Sequence, residues 1–448
     1  MRRTRILRMS AVAAGAFALV LSGCGSGDTQ TDARDDAGGA APDGEPGSVV
    51  LYSTQFNPVE EADAIRRDVL ASFTGDAEFV GASGDGEFID RVSAEAQAGR
   101  GEIGLLGALH GTYVDLQDQG LLTDLSDLVD EMADLGIPDD VLELGRLGTD
   151  QQWYIPWVQA SYVVAADKQA LEYLPDGADV ESLTYDEYLQ WAANTAEGTG
   201  APRFGFPAGE EGLMHRFLQG YLLPSFTGGV VRTFGDNAAW EYLAELWEYV
   251  HPQSLTYEFM EDPLLSGEVL VAWDHVARLK NALDSRPDDF VVVPVPSGPA
   301  GRAHMPVVAG LAVPESSPDP DAAKDLIRHL LSVDSQLATL SAVAFYPVVE
   351  TGDAGDLEPG IQLAADAVES QANADDALLV LLPLGLGEQG GTFNDIYRSA
   401  FERVAVSGED PSDAVGTEAA RLEDMMENTG APCWSPDEPS DGPCPVGN

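Results

Sequence analysis

The sequence predicts an α/β fold in which a mostly parallel sheet is flanked by helices. Short β-branched and aromatic runs alternate with stretches whose apolar residues fall at helical spacing. The chain has 448 residues, 44% of them apolar, enough for two or three cores. No internal repeat is visible, and the composition excludes collagen-like, fully disordered and small disulfide-stapled classes.

The elements follow in order. Residues 49–53 (VVLYS) form a strand ended by polar residues, and residues 60–73 place Ala64, Ile65, Val69, Leu70 and Phe73 at helical spacing. A strand at 77–80, a helix at 87–98, a strand at 103–106 and a short helix at 113–119 continue the alternation. Trp153-Tyr154-Ile155-Pro156-Trp157 then leads into a strand at 161–165. Thr184 caps a helix over 184–196, with Glu187 at the capping-box position. Over 237–250, Trp240, Leu243, Trp247 and Val250 share one helical face and read as core. Strands are expected at 267–272, 290–295 and 307–313, followed by a helix at 319–331 opened by Asp319-Pro320. The run 377–382 stops at Pro383 and reads as a buried strand or a helix start. A late helix at 393–406 turns Phe393, Ile396, Tyr397, Ala400, Phe401 and Val404 inward.

The N-terminus reads as an address. Arg2, Arg3, Arg5 and Arg8 precede an apolar stretch at 11–21, which is too short to span a bilayer, and Leu21-Ser22-Gly23-Cys24 closes it. That ending resembles the bacterial lipobox, in which cleavage falls before the cysteine and its thiol is lipidated. Residues 1–23 are then a signal peptide, Cys24 carries the anchor, and residues 24–48, rich in Gly, Ser, Asp, Ala and Pro, have the composition of a flexible tether. In this extracytoplasmic setting Cys433 and Cys444, an even pair in the C-terminal tail, are expected to form a disulfide.

Charge excludes several partners. Asp plus Glu number 76 against 23 Lys plus Arg, a net charge of −53 that repels nucleic-acid phosphate and anionic lipid. Lys168, Lys280 and Lys324 are the only lysines, a pattern that suits high salt or high pH. The common catalytic signatures, His-Glu-x-x-His, Gly-x-Ser-x-Gly, a phosphate loop and a Cys/His zinc set, are all absent from the sequence. Gly385-Leu386-Gly387-Glu388-Gln389-Gly390 matches a dinucleotide fingerprint, but Pro383 interrupts the supposed strand. It reads instead as a turn that lets backbone approach a ligand or another loop. Asp85/Glu87 and Glu210/Glu211 are carboxylate pairs of the kind a glycosidase needs, although so acidic a chain contains every spacing.

Aromatic residues gather at strand-to-loop joints: Tyr52, Phe56, Trp153, Trp157, Trp273 beside Asp274, and Phe345-Tyr346. Ligands of open α/β sheets bind outside the carboxyl ends of the strands, where an aromatic face beside a carboxylate or amide suits a sugar ring. Core packing at domain joints is the competing reading at each position.

Residues 88–99 (FIDRVSAEAQAG), 107–110 with Gly120-Leu121-Leu122, Tyr154-Ile155-Pro156-Trp157 with 162–168 (YVVAADK), and 183–189 (LTYDEYL) occur in this order. They are followed by 267–271 (GEVLV), 293–301 (VPVPSGPAG), 310–314 (GLAVP), 322–336 and Phe345-Tyr346-Pro347. In that order and spacing, the chain from about residue 49 to about 420 resembles a family 1 extracellular solute-binding protein, the lipid-anchored receptor of a sugar-type ABC importer. The resemblance implies a two-lobe periplasmic-binding-protein-like fold of the class II type, each lobe a mostly parallel sheet flanked by helices. The N-terminal lobe would take residues 49–157 and 306–345, the C-terminal lobe 158–305 and 346–430, and a tail 431–448. A hinge would cross near 155–159, 304–308 and 344–348.

Carried over loop by loop, the solute cleft would be lined by Gln55, Phe56, Asn57, His110, Trp153, Trp157, Glu210, Trp273, Asp274, Tyr346, Gln389 and Asn394. Glu102 stands where the family often has aspartate, and Trp273 comes earlier than the family's tryptophan. No catalytic residue, metal or cofactor is implied. The expected partners are a small solute, most simply a sugar, and the membrane permease subunits, with the chain a monomer on the outer face of the cell membrane. Two rivals are a cationic solute such as a polyamine, caged by Trp273 and Asp274, and a secreted polysaccharide hydrolase using a carboxylate pair.

Overall fold

The computed structural model describes residues 48–56, 58–352 and 357–447. The expected signal peptide, the lipidation site Cys24, nearly all of the tether and Asn57 lie outside the described residues. Twelve strands are present among the described residues: β1 (Val49–Ser53), β2 (Ala77–Gly81), β3 (Ile103–Leu109), β4 (Ile155–Ala160), β5 (Tyr162–Asp167), β6 (Phe204–Gly205), β7 (Val271–His275), β8 (Phe290–Val293), β9 (Arg302–His304), β10 (Val307–Ala312), β11 (Tyr346–Pro347) and β12 (Ala377–Leu379). The first sheet has the order β11-β4-β10-β3-β1-β2 and the second β6-β7-β5-β8, while β12 pairs with β9 in a two-stranded ribbon.

Both large sheets are mixed. β1 runs parallel to β2 and β3, but β10 lies antiparallel between β3 and β4, and β11 is antiparallel to β4. In the second sheet β6 and β7 are parallel while β5 opposes both β7 and β8. The expectation of mostly parallel sheets therefore holds for strand direction only in part, because strands that enter from the other sheet pair in the opposite sense. β4 and β5 are joined by Ser161 alone, and β9 and β10 by Met305 and Pro306, so the chain passes between the sheets with almost no slack.

Period-two alternation sorts the core. Leu51 and Leu105 face one side of the first sheet, within a large cluster that continues under the second sheet, while Tyr52 and Leu106 face a smaller cluster closed by Phe88, Tyr113 and Tyr154. The Thr184–Glu187 capping box forms at the start of helix Tyr185–Thr199. Trp240 and Leu243 are fully buried, as their spacing predicts. Two boundaries differ from the sequence expectation. Gly267 is a left-handed cap (φ 73°) ending helix Glu261–Ser266, so that strand begins only at Val271. The run beginning at Ala377 does form a strand, β12, but at its edge Leu379 stays 44% exposed. Among the described residues no helix is long and apolar enough to cross a membrane.

Candidate functional site

Between the two sheets lies a cleft whose floor belongs to an unbroken file of rings with a tryptophan buried at each end. Trp157 on β4 meets Phe56 edge-on at 5.4 Å, Phe56 meets Phe345 at 5.1 Å, and Phe345 meets His275 at 5.4 Å. His275 then meets Tyr162 at 5.0 Å, and Tyr162 stacks flat on Trp273 at 4.8 Å and 2°. Phe56, Phe345, His275 and Tyr162 line the cavity above, about 370 Å³ in volume. An adjoining cavity, also about 370 Å³, shares Gly84, Asp85, Leu109, Arg216 and Leu382 with the first and extends toward Asp115, Glu388 and Asn394. These dimensions suit a small solute. Phe56 is held at φ 58°, a left-handed conformation that costs a bulky residue energy and places its ring on the cleft floor.

Each wall is set by local structure. From the first sheet, β1 runs into Gln55 and Phe56, helix α1 (Val59–Ala64) presents Glu61, and helix α2 (Asp85–Ala98) begins at the cleft with Gly84 and Asp85. Asp85 accepts a hydrogen bond from Thr112 Oγ1 at 2.8 Å. Gln55 lines the cavity and donates through Nε2 to Thr54 Oγ1. Burial pushes the Glu61 carboxyl up to about 7, against the pull of the Arg278 guanidinium.

The opposite wall belongs to the second sheet. His275 caps helix Val276–Ser285 by accepting the Ala277 amide on Nδ1 at 3.3 Å, so its proton sits on Nε2. Burial, aided by Arg278, drives its pKa down to about 3, and the ring is neutral. Arg278 lies one turn further along that helix, donates to Glu258 O at 2.9 Å and covers the Phe259 ring at 4.3 Å. Arg216, on helix Met214–Phe217, donates to Gln219 Oε1 at 3.4 Å, and Gln219 in turn donates to Asn394 Oδ1 at 3.0 Å. The glycine-rich turn crosses from this side to the other: the Gly387 amide donates to Asp115, and Pro383 O lies against Gly111, where a side chain's Cβ would fall only 2.1 Å away.

Of the residues named from sequence, Gln55, Phe56 and Asn394 line the cleft. The tryptophans do not. Trp157 and Trp273 are fully buried beneath the rings that form the floor, with Trp273 enclosed by Tyr162, Phe217 and Tyr221. Trp153 packs against the smaller cluster, its Nε1 bonded to Thr149 Oγ1 at 2.9 Å. Asp274 is fully buried and accepts the Met260 and His275 amides at 2.9 and 2.7 Å, clamping a loop while burial raises its pKa to about 6. A Trp273–Asp274 cation cage is therefore closed to solute.

His110 is buried on Tyr154 OH at 2.7 Å, and Tyr346 sits on the edge strand β11 beside Gln159. Glu210 is exposed on a separate groove with Arg398 and Phe401, and Gln389 is exposed outside both cavities. Glu87 is occupied by the Ser83 amide and hydroxyl, so Asp85 and Glu87 do not face each other as an acid pair. Cys433 and Cys444 are bonded to each other. Sequence reasoning missed Tyr162, Arg216 and Arg278. Tyr162 was legible as part of the strand expected at 161–165, but the arginines carry no motif. Among the described residues no group of three or more His, Cys, Asp or Glu could hold a metal ion.

Two bodies joined by close-set crossings, with a polar cleft over an aromatic floor, define a solute-capturing receptor fold. The sequence pattern of the bacterial extracellular solute-binding protein family matches residues 75–337, more than half of the chain, and the chain belongs to that family. Among solved structures, maltose-bound MalE3 of T. maritima is similar with a TM-score of 0.66 at 19% identity, over 84% of this chain and 99% of that one. The sugar transporter from Arthrobacter chlorophenolicus A6 with bound laminaribiose gives 0.67 at 15% identity, over 84% and 99%. UgpB from Mycobacterium tuberculosis in complex with glycerophosphocholine gives 0.65 at 16%, over 85% and 99%. At these identities the likeness is one of fold, the two-lobe binding-protein fold. No curated protein sequence matches the chain.

Proposed function

We propose that the protein captures a sugar-type solute in the cleft between its lobes and delivers it, chemically unchanged, to the membrane subunits of an ABC importer. The observation that carries this is the cleft itself: an aromatic floor of Phe56, Tyr162 and Phe345 between facing polar walls. Such a floor stacks on the apolar face of a sugar ring while Gln55, Asp85, His275 and Asn394 hydrogen-bond its hydroxyls. A solute touching both walls binds the closed form better than the open one, and that difference drives closure. The lobes follow the sheets, with the N-terminal lobe on the first and the C-terminal lobe on the second. Cys24, lipidated after removal of residues 1–23, anchors the receptor to the outer face of the membrane.

Thermal unfolding of the purified protein against mono- and oligosaccharides tests the capture role. Saturation at a hundred times the dissociation constant raises stability by about 2.7 kcal/mol, a visible shift. A shift with polyamines and none with saccharides overturns the sugar reading, and so does steady consumption of an oligosaccharide at catalytic protein concentration. For the anchor, Cys24→Ala should abolish fatty-acid labelling; labelling that persists refutes it.

A further inference from the structure

Arginine is scarce here and carboxylate abundant, with 76 acids against 23 bases. Most described arginines are accordingly committed. Arg66, Arg67, Arg91, Arg146, Arg286, Arg328, Arg403 and Arg421 sit in ion pairs, while Arg203, Arg232, Arg302 and Arg398 tie down backbone carbonyls. Arg216 and Arg278 stand apart by facing the cleft, although Arg278 also holds one backbone carbonyl, that of Glu258. Both are half-buried, both line the same cavity, and neither is in an ion pair among the described residues. Each makes one side-chain hydrogen bond, through Nη1, at 3.4 Å for Arg216 and 2.9 Å for Arg278. A guanidinium carries five N–H donors, so most of the donors on this wall remain to be satisfied.

Their neighbours point the same way. His275 presents Nε2–H, because Nδ1 is taken by the helix cap. Gln219, buried, accepts from Arg216 and gives its own N–H to Asn394 Oδ1, which turns the Asn394 amino group outward as a further donor. The C-terminal wall is therefore a surface of donors, two of them fully charged, while Asp85, Glu61 and Gln55 sit on the wall opposite. Glu61 and Asp85 line the same cavity, but neither forms an ion pair with Arg216 or Arg278, so a neutral sugar, whose hydroxyls both give and accept, leaves both guanidinium groups without a directly bonded anion. A carboxylate or a phosphate satisfies them with charge-assisted bonds.

We propose that the solute is an anionic saccharide or sugar derivative whose carboxylate or phosphate docks on Arg216 and Arg278, while its hydroxyls reach Asp85 and Gln55 across the cleft. This rests on the reading of the cleft as a solute site and names the class of solute it selects.

The test is calorimetric titration of the full chain with paired probes: glucuronate and glucose 6-phosphate against glucose, and digalacturonate against galactobiose. The same titrations are made on Arg216→Gln and Arg278→Gln. The expected result is that one acidic probe binds at least tenfold tighter than its neutral partner, and that each substitution weakens it roughly ten- to hundredfold. The neutral partner's affinity moves less than twofold. The uronate and phosphate arms tell which anion is taken. Neutral probes bound as tightly as acidic ones, or acidic affinity unchanged in both variants, overturn the anion inference and leave sugar capture standing. Silence from every probe, in protein with an intact melting transition, overturns both. Because each arginine makes one side-chain hydrogen bond, both variants should melt within a few degrees of wild type, and a circular-dichroism melt confirms that they fold.

Discussion

Gly111→Ala probes lobe closure without touching the solute. Gly111 lies at φ −64° and ψ −28°, a conformation alanine adopts freely, so the substitution costs nothing in backbone strain. Its new Cβ, however, would lie 2.1 Å from Pro383 O, a backbone atom that the proposed lobe division puts on the facing lobe, where ordinary contact begins at 3.4 Å. The lobes must part by about 1.3 Å at this point, the difference between those two distances. Overpacking of this kind costs about 1–3 kcal/mol, charged here against the closed form alone, because the open form separates the two atoms. Solute affinity should then fall roughly five- to hundredfold, while the unliganded melting temperature moves little. Gly390→Ala is the control: it lines the same cleft at φ −55° with nothing within 4 Å of the added carbon. Isothermal titration and small-angle scattering on both variants decide the matter. Equal affinity and equal radius of gyration for Gly111→Ala and Gly390→Ala would refute a closure made through the Gly111–Pro383 contact.

Trp273→Ala should behave as a core deletion, lowering stability by about 3–5 kcal/mol in urea titration; a stable variant with only its solute affinity lost would show that the ring is a ligand contact after all. Acid should destabilise the protein. Burial holds His110 at about 4, His275 at about 3 and His215 well below its ordinary value, so below pH 6.5 the unfolded chain binds more protons than the folded one. Each histidine then removes about 1.4 kcal/mol per pH unit. Asp274, raised to about 6, and Glu61, raised to about 7, oppose this by one such increment per pH unit each below those values, so three histidines against two carboxyls still leave a net loss. Urea midpoints equal at pH 7 and pH 4.5 would contradict this balance. Replacing Cys433 and Cys444 together by serine should cost about 2–3 kcal/mol, read as a lower melting temperature that wild type reproduces in reducing agent. The loop they close carries Asp437, which accepts the amides of Val230, Val231 and Arg232 at 3.0, 2.8 and 3.1 Å, so an unchanged melt would mean that these bonds hold the loop without the bridge.

The local rules of the sequence were the legible part. Thr184 and Glu187 announce their helix start because a capping box is built from residues three apart, and the alternation of Leu51 with Tyr52 follows from the pleat. The site was less legible because depth is not a local property. Trp157 and Trp273 end up under the cleft floor, and the residues that cover them, Phe56 and Tyr162, come from other strands and loops. Arg216 and Arg278 were invisible for a different reason. What distinguishes them is a place on the cleft without an ion pair, and pairing among 76 acids is settled only when the chain is folded.

Ser161, 3% exposed, is the whole connection between β4 and β5, and its hydroxyl is held by Gln371 Nε2 at 2.9 Å and Tyr221 OH at 3.3 Å. A joint one residue long, pinned on both sides and embedded in a core that runs beneath both sheets, cannot let one half melt while the other stays folded. Calorimetry should record a single endotherm, and a protease that nicks an exposed loop should leave the fragments bound to each other. A solute that touches only a few side chains then protects the entire polypeptide, which gives an exported receptor longer survival when it is loaded than when it is empty.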